Sequence, residues 1–261
     1  MKKVIVPVDF SDTSLNAARF AAQMFKGQDD LHIILYHMFE NEEDDVTTRN
    51  YLENIRTELL SKGDKNIECI TELGDDFIDS LTRLAFQKSA TMIVMGIAGK
   101  SELRQVLIGS NTLKMTDQNV CPVMIIPPDA SFNEIKNVAF TSDFRNVSET
   151  TPVLFIKQVL QLFKPSLHIV NVDNQHYVSL TEEFQEERAK FLEMFKEYKP
   201  EFYFIGMNDF FEAVEQFVHD KKIDLIVTVP RYHSFLSRMI KGTHTKKLVF
   251  QSSVPILAVH E

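Results

Sequence analysis

The chain carries one pattern twice. Val4-Ile5-Val6-Pro7-Val8-Asp9-Phe10-Ser11 is echoed by Val138-Ala139-Phe140-Thr141-Ser142-Asp143-Phe144-Arg145, an offset of 134 residues. Leu31-His32-Ile33-Ile34 returns as Leu167-His168-Ile169-Val170, displaced by 136, and Gly74-Asp75-Asp76-Phe77 as Met207-Asn208-Asp209-Phe210, displaced by 133. Met92-Ile93-Val94-Met95-Gly96 matches Ile226-Val227-Thr228-Val229-Pro230, and Cys121-Pro122-Val123-Met124-Ile125 matches Val254-Pro255-Ile256-Leu257-Ala258. Anchors so widely spaced, with so little drift, require two homologous domains and exclude a solenoid of short repeats. The expected domains are 1–129 and 134–261, joined by Pro127-Pro128-Asp129-Ala130-Ser131, and 261 residues suffice for two modest cores.

Each half alternates short apolar runs with amphipathic stretches, which predicts an α/β fold built on a mainly parallel sheet. In the first half the strands fall near 3–9, 31–38, 66–72, 91–96 and 122–127. Ser11 or Asp12 caps a helix whose Leu15, Ala18, Ala22 and Phe25 share one face. Residues 47–62 read as a second helix with Tyr51, Ile55 and Leu59 inward. Asp75 or Asp76 opens a third with Phe77, Ile78, Leu81, Leu84 and Ala85 inward, and Ser110 opens a fourth. In the second half, Phe184, Phe191, Leu192 and Phe195 mark the second helix. Asn41-Glu42-Glu43-Asp44-Asp45 reads as a solvated acidic loop.

Composition narrows the class. No apolar run approaches the ~18 residues that cross a bilayer. Pro7 and Asp9 interrupt the N-terminal apolar stretch too early for a signal peptide, so it reads as a strand, and no membrane partner is expected. Cys69 and Cys121 both sit in apolar runs; two buried thiols suit a reducing, cytoplasmic compartment and provide no disulfide framework. A net charge of −9 argues against general nucleic-acid binding.

The chemistry concentrates after the fourth strand. Gly96-Ile97-Ala98-Gly99, nine further residues, then Gly109-Ser110 form a glycine loop between an apolar strand and a helix start. Glycines there let backbone approach a ligand, and the free N–H groups at a helix start favour an anion. In open parallel sheets ligands bind beyond the carboxyl ends of the strands, where strand order reverses, and Asp9 and Gly96 both lie at such ends.

The G-x2-G-x9-G-S spacing, the following Cys-Pro-Val-Met-Ile-Ile strand and the N-terminal Val-Pro-Val-Asp together resemble the universal stress protein family. The resemblance extends over nearly the whole chain, as a tandem member. It implies two Rossmann-like (adenine nucleotide alpha hydrolase-like) domains, each a five-stranded sheet flanked by helices. It further implies a stress-response role with ATP, ADP or AMP as ligand, and Mg2+ only through the nucleotide phosphates. Carried over by position, Gly96, Gly99, Gly109 and Ser110 would hold ribose and phosphates, with Asn111 offering an amide. Asp9 would accept a hydrogen bond from the adenine or its surroundings, with Pro7 and Val8 alongside and Met38 and Met95 against the base.

Each residue also has a structural reading. Ser110 and Asp9 can cap helices, Met38 and Met95 can fill core, and Cys121 can serve as a small buried hydrophobe. Lys100 and Arg104 either neutralise phosphate or face solvent.

In the second half Pro230 replaces the first glycine and His233 the second, while Gly242-Thr243 keeps the third landmark after only eight intervening residues. Proline fixes φ and removes an N–H, so this copy is not expected to hold ATP in the family manner. Arg231, His233, Arg238, Lys241, His244, Lys246 and Lys247 instead make a basic stretch interleaved with Phe235, Leu236, Met239 and Ile240, either a docking surface or a solvated loop. No metal site is expected, since His233 and His244 lack ligands at metal spacing. Catalytic residues are not expected either: no Walker-type lysine follows a glycine loop and no carboxylate pair is placed for two metals. The expected function is nucleotide binding, with a non-nucleotide interaction module or a slow ATP hydrolase as alternatives. The resemblance also implies pairing of residues 122–127 with 255–259 as an intrachain pseudo-dimer, a homodimer, and an unidentified protein partner.

Overall fold

The first apolar run forms strand β1 (Lys2–Pro7), in which Val4, Ile5 and Val6 are shielded from solvent. Burial on both faces is what a parallel strand between two helical layers requires. The computed structural model describes residues 2–61, 66–97, 110–172, 182–206, 210–229 and 252–260. It divides into two compact units, Met1–Asn133 and Glu134–Glu261.

In the first unit β1 is followed by α1 (Asp12–Met24), β2 (Leu31–Phe39), α2 (Asp45–Ser61), β3 (Ile67–Leu73), α3 (Phe77–Lys88), β4 (Met92–Gly96), α4 (Ser110–Thr116) and β5 (Val123–Ile126). Its strands lie in the order β3-β2-β1-β4-β5, every neighbour parallel. The chain steps one way through β1, β2 and β3 and the other way through β4 and β5, so strand order reverses between β1 and β4. The second unit runs β6 (Asn137–Thr141), α5 (Val147–Thr150), α6 (Val153–Phe163), β7 (Ser166–Val172), α7 (Glu182–Met194), β8 (Glu201–Ile205), α8 (Phe210–Lys221), β9 (Leu225–Thr228) and β10 (Ile256–Ala258). Its strand order is β10-β9-β6-β7-β8, again parallel, with the reversal between β6 and β9. Both are Rossmann-like α/β folds. Each unit supplies five parallel strands.

Local chemistry accounts for the helices. Ser11 caps α1, its hydroxyl accepting the Ser14 N–H at 3.3 Å. Ala17, Ala18, Ala21 and Ala22 on its inner face are buried and small, which lets the helix lie close to the sheet. Asn16 on α1 donates to the carbonyls of Pro127 (3.2 Å) and Ala130 (3.0 Å), and Phe20 meets Phe132 edge-on, which fastens the Pro127–Ser131 segment to this helix. The second helix buries Leu52 and Leu59, not the expected Tyr51, which is 57% exposed. Turning Leu52 inward in place of Tyr51 keeps aliphatic side chains inside and the phenol in water. In α7, Phe191 is fully buried, while the adjacent Leu192 is exposed. Cys121 is buried, but Cys69, on β3 at the edge of the strand order, is only half-buried, contrary to expectation. Among the described residues no helix is long and apolar enough to cross a membrane.

Asp76 caps α3 by accepting the Asp79 N–H at 3.0 Å, and Ser89 closes the helix in the left-handed conformation at φ 52°. Asp76→Ala is expected to cost about 1 kcal/mol of stability, measured by urea unfolding.

Candidate functional site

The turn leaving β1 at the strand-order reversal is built by a dense set of short-range hydrogen bonds. Val8 N–H donates to the Tyr36 carbonyl at 2.8 Å, continuing the β1–β2 ladder one residue past the strand. Nδ1 of His37 lies 2.6 Å from the Val8 carbonyl oxygen, an acceptor only, so that nitrogen carries the proton. Asp9 Oδ1 accepts the Ser11 N–H at 3.0 Å and the Ser11 hydroxyl at 2.5 Å. Between them Phe10 takes a positive φ of 65°, unusual for a bulky residue, and its ring rests on His37 with centroids 4.6 Å apart and on Tyr51 at 5.6 Å. Partial burial pushes the Asp9 carboxyl upward, but hydrogen bonds from Ser11 and Ser14 outweigh it and leave the pKa below the ordinary 3.8. Asp9 is therefore a carboxylate at neutral pH, exposed at the carboxyl end of the sheet. It supports the helix cap from two residues away; the cap itself is Ser11.

The second unit repeats this turn. Phe144 has φ 56°, Asp143 Oδ1 accepts the Arg145 N–H at 3.1 Å, and Ser142 N–H donates to the Val170 carbonyl at 3.0 Å. Asn171 takes the place of His37, donating to the Ser142 carbonyl at 3.0 Å. Phe144 stacks on Phe184 at 4.7 Å, where Phe10 has His37 and Tyr51. Sequence reasoning missed the left-handed phenylalanine and its polar support from the second strand, although Asp-Phe recurring at an offset of 134 was a usable signal.

Gly96 closes β4 beside this turn. A Cβ there would stand 2.3 Å from the Thr13 carbonyl oxygen and 2.7 Å from its carbon. The first turn of α1 thus occupies the space of a side chain, a packing reason for glycine that the sequence alone does not reveal. The Gly96 carbonyl accepts the buried Thr112 hydroxyl at 3.1 Å, tying the strand end to α4.

The expected residues divide by accessibility. Pro7, Val8 and Met95 are buried in the sheet, so any ligand contact by Met95 would come from its edge. Asp9 and Asn111 are exposed, and Met38 and Gly96 partly so. Met38, next to the last residue of β2, lies beside Gly74, where a Cβ would stand 3.2 Å from its sulfur. Ser110 is the first residue of α4. Gly99 and Gly109 lie outside the described residues, as do Lys100 and Arg104. So do Pro230, His233, Gly242, Thr243 and the whole basic stretch of the second half.

Next to Met38, a polar cluster locks α3 onto β2 and β3. Glu72 accepts from the Tyr36 hydroxyl and the Ser80 hydroxyl, each at 3.2 Å, and from Arg83, whose other arm reaches Asp79 at 3.1 Å. Burial, followed by the neighbouring Glu72 charge, drives the Tyr36 phenol well above its ordinary 10.0, so it remains a neutral donor. Burial also pushes both Cys69 and Cys121 up to about 12, which leaves them protonated and poor nucleophiles. Among the described residues no group of three or more His, Cys, Asp or Glu side chains is placed to hold a metal.

A family model described as "Universal stress protein family" matches residues 1–127. Universal stress protein MJ0577 of Methanocaldococcus jannaschii is 26% identical over 155 residues, covering 48% of this chain and 94% of that relative. Universal stress protein MJ0531 of the same organism is 25% identical over 138 residues, covering 48% of this chain and 81% of that relative. Over the full length, the crystal structure of a universal stress protein from Archaeoglobus fulgidus superposes with a TM-score of 0.72 at 15% identity, covering 99% of this chain and 98% of that one. A Pseudomonas aeruginosa protein, PA1789, gives 0.65 at 12% identity, covering 100% and 92%. Similarity at these identities extends the fold, and the fold alone, to the second unit.

Two outcomes follow from the turn and the strand end. Gly96→Ala forces a methyl onto the Thr13 carbonyl and is expected to destabilise the protein by about 3 kcal/mol without any ligand present, read by chemical denaturation. Because the folded-state pKa of Asp9 is lowered, its contribution is complete above 3.8 and disappears as pH falls through the folded value. The stability gap between wild type and Asp9→Asn should accordingly be widest near neutrality and close in acid.

Proposed function

Residues 1–127 belong to the universal stress protein family, and from that membership we propose that the chain binds ATP, or a related adenine nucleotide, in its first unit. The observation that carries the proposal is the convergence of Asp9 and Gly96 on adjacent strand ends where the order of strands reverses. The residues present suit such a ligand. An ionised, exposed Asp9 can accept the exocyclic amine of adenine, and the partly exposed Met38 offers a polarizable surface for a flat ring. Pro7, Val8 and Met95 form the buried floor behind them, and Gly96 keeps the strand end free of a side chain.

In this reading Gly99, Gly109, Ser110 and Asn111 hold the ribose and phosphates, and Mg2+ enters only with the phosphates. Residues 1–129 form the nucleotide-binding domain, and 134–261, with Pro230 and His233 in place of glycines, form a degenerate copy serving assembly or regulation. The nucleotide acts as a conformational signal through its differential contacts, without sustained turnover. The setting is a cytoplasmic stress response.

Calorimetric titration of the full chain with ATP tests this. One nucleotide per chain is expected, with binding abolished in Gly99→Val. The Gly99 variant is preferred because a change at Gly96 would confound binding with the Thr13 clash. Absence of binding, or two equivalent sites, would overturn the proposal.

A further inference from the structure

At the opposite end of each unit from the nucleotide-side turns, the repeat also duplicates a histidine, a glutamate and a lysine. In the first unit His32 on β2 faces Glu68 on β3 with Nε2 to Oε2 at 3.2 Å, and Lys88 at the end of α3 reaches Glu68 Oε1 at 3.0 Å. In the second, His168 on β7 faces Glu201 on β8 with Nδ1 to Oε2 at 3.5 Å, and Lys221 ends α8. The surroundings differ. The Lys88 ammonium sits on the carboxylate, whereas the Lys221 ammonium sits 4.6 Å over the Tyr203 ring. The Tyr203 hydroxyl donates to the same Glu201 oxygen that faces the imidazole. The side chain of His32 is 22% exposed and that of His168 only 8%.

Asn137 stands against the other ring nitrogen: its amide donates to the Lys222 carbonyl at 3.1 Å, and its Oδ1 lies 3.5 Å from His168 Nε2. With the proton on Nε2 the Asn137 oxygen accepts it, and the buried Nδ1 then faces the Glu201 carboxylate with no hydrogen bond of its own. A proton added at Nδ1 would charge a ring packed against Tyr203 at 5.7 Å and Phe217 at 6.3 Å. The ionisable groups around it are Glu201 and Tyr203 from β8 and Lys221 from α8. Asp224 stands beside Asn137, accepting the Lys136 and Asn137 N–H groups.

We infer that His168 is an acid-sensitive element of the second unit, whose protonation at Nδ1 loosens the packing of β7 against β8 and α8. Burial opposes the charged ring more than Glu201 favours it, so the folded state holds that proton less readily than the unfolded chain. The resulting stability is complete above the ordinary 6.5 and declines as pH falls from there toward the lower folded-state value. In the first unit His32 Nε2 is likewise buried without a hydrogen bond and faces Glu68, but its ring is more exposed and Lys88 already engages the carboxylate.

The test uses the full chain. Imidazole resonances followed by NMR should show His168 titrating below 6.5. Amide-exchange protection in β7 and β8 should fall by up to about tenfold per pH unit in the window of its titration, as one linked proton dictates, while protection in β1 and β2 stays level. His168→Phe should abolish the fall. Glu201→Gln, which keeps the histidine and removes the compensating charge, should move the His168 midpoint further down. A His168 midpoint at or above 6.5, a midpoint unmoved in Glu201→Gln, or an undiminished fall in His168→Phe would overturn the inference.

Discussion

The first turn of α1 runs so close to the end of β4 that position 96 has no room for a side chain. That approach joins the two strand ends flanking the reversal in strand order. On one side Ser11 and Asp9 shape the turn out of β1; on the other, Thr112 holds the Gly96 carbonyl. A ligand at the carboxyl end of this sheet would meet a surface already fixed by protein–protein hydrogen bonds. Pre-organisation of this kind lowers the entropic cost of binding. The same contact explains why Gly96 carries two burdens, a structural one independent of any nucleotide and a functional one proposed here.

Much of the framework was legible because its signals are local. The continuous apolar runs at Val4–Val6 and Met92–Met95 can only be satisfied between two layers, and both are buried strands. Asp75 or Asp76 before an apolar helical stripe announced a cap, and Asp76 supplies it. What failed to show depends on tertiary neighbours. Tyr51 and Leu52 are adjacent in sequence, and only the packing of α2 against β2 and β3 decides which turns inward. The clash at Gly96 comes from Thr13, more than eighty residues away, and cannot be read from the glycine loop. The left-handed Phe10 rests on side chains of β2 and α2, and Phe144 on side chains of α7 and β8, beyond the reach of turn propensities.

The two units keep the same turn and surround it differently. His37 and Tyr51 beside Phe10 leave polar atoms at the first turn, whereas Phe184, Phe191, Phe202 and Phe204 enclose Phe144 in hydrocarbon. That contrast parallels the sequence difference after the fourth strand, glycine at 96 against proline at 230. Duplication has kept the backbone solution and released the side chains around it. His168, buried where His32 is half-covered, shows the same divergence at the other end of the sheet.

The proposed function requires a single nucleotide site in a chain with two related units. Mass spectrometry of freshly purified full-length protein under native conditions addresses it directly, with released ligand identified after denaturation. The expected species is a complex one adenine nucleotide heavier than the bare chain, with no heavier species when ATP is added in excess. A second nucleotide per chain, or no adenine nucleotide either retained or taken up, would contradict it.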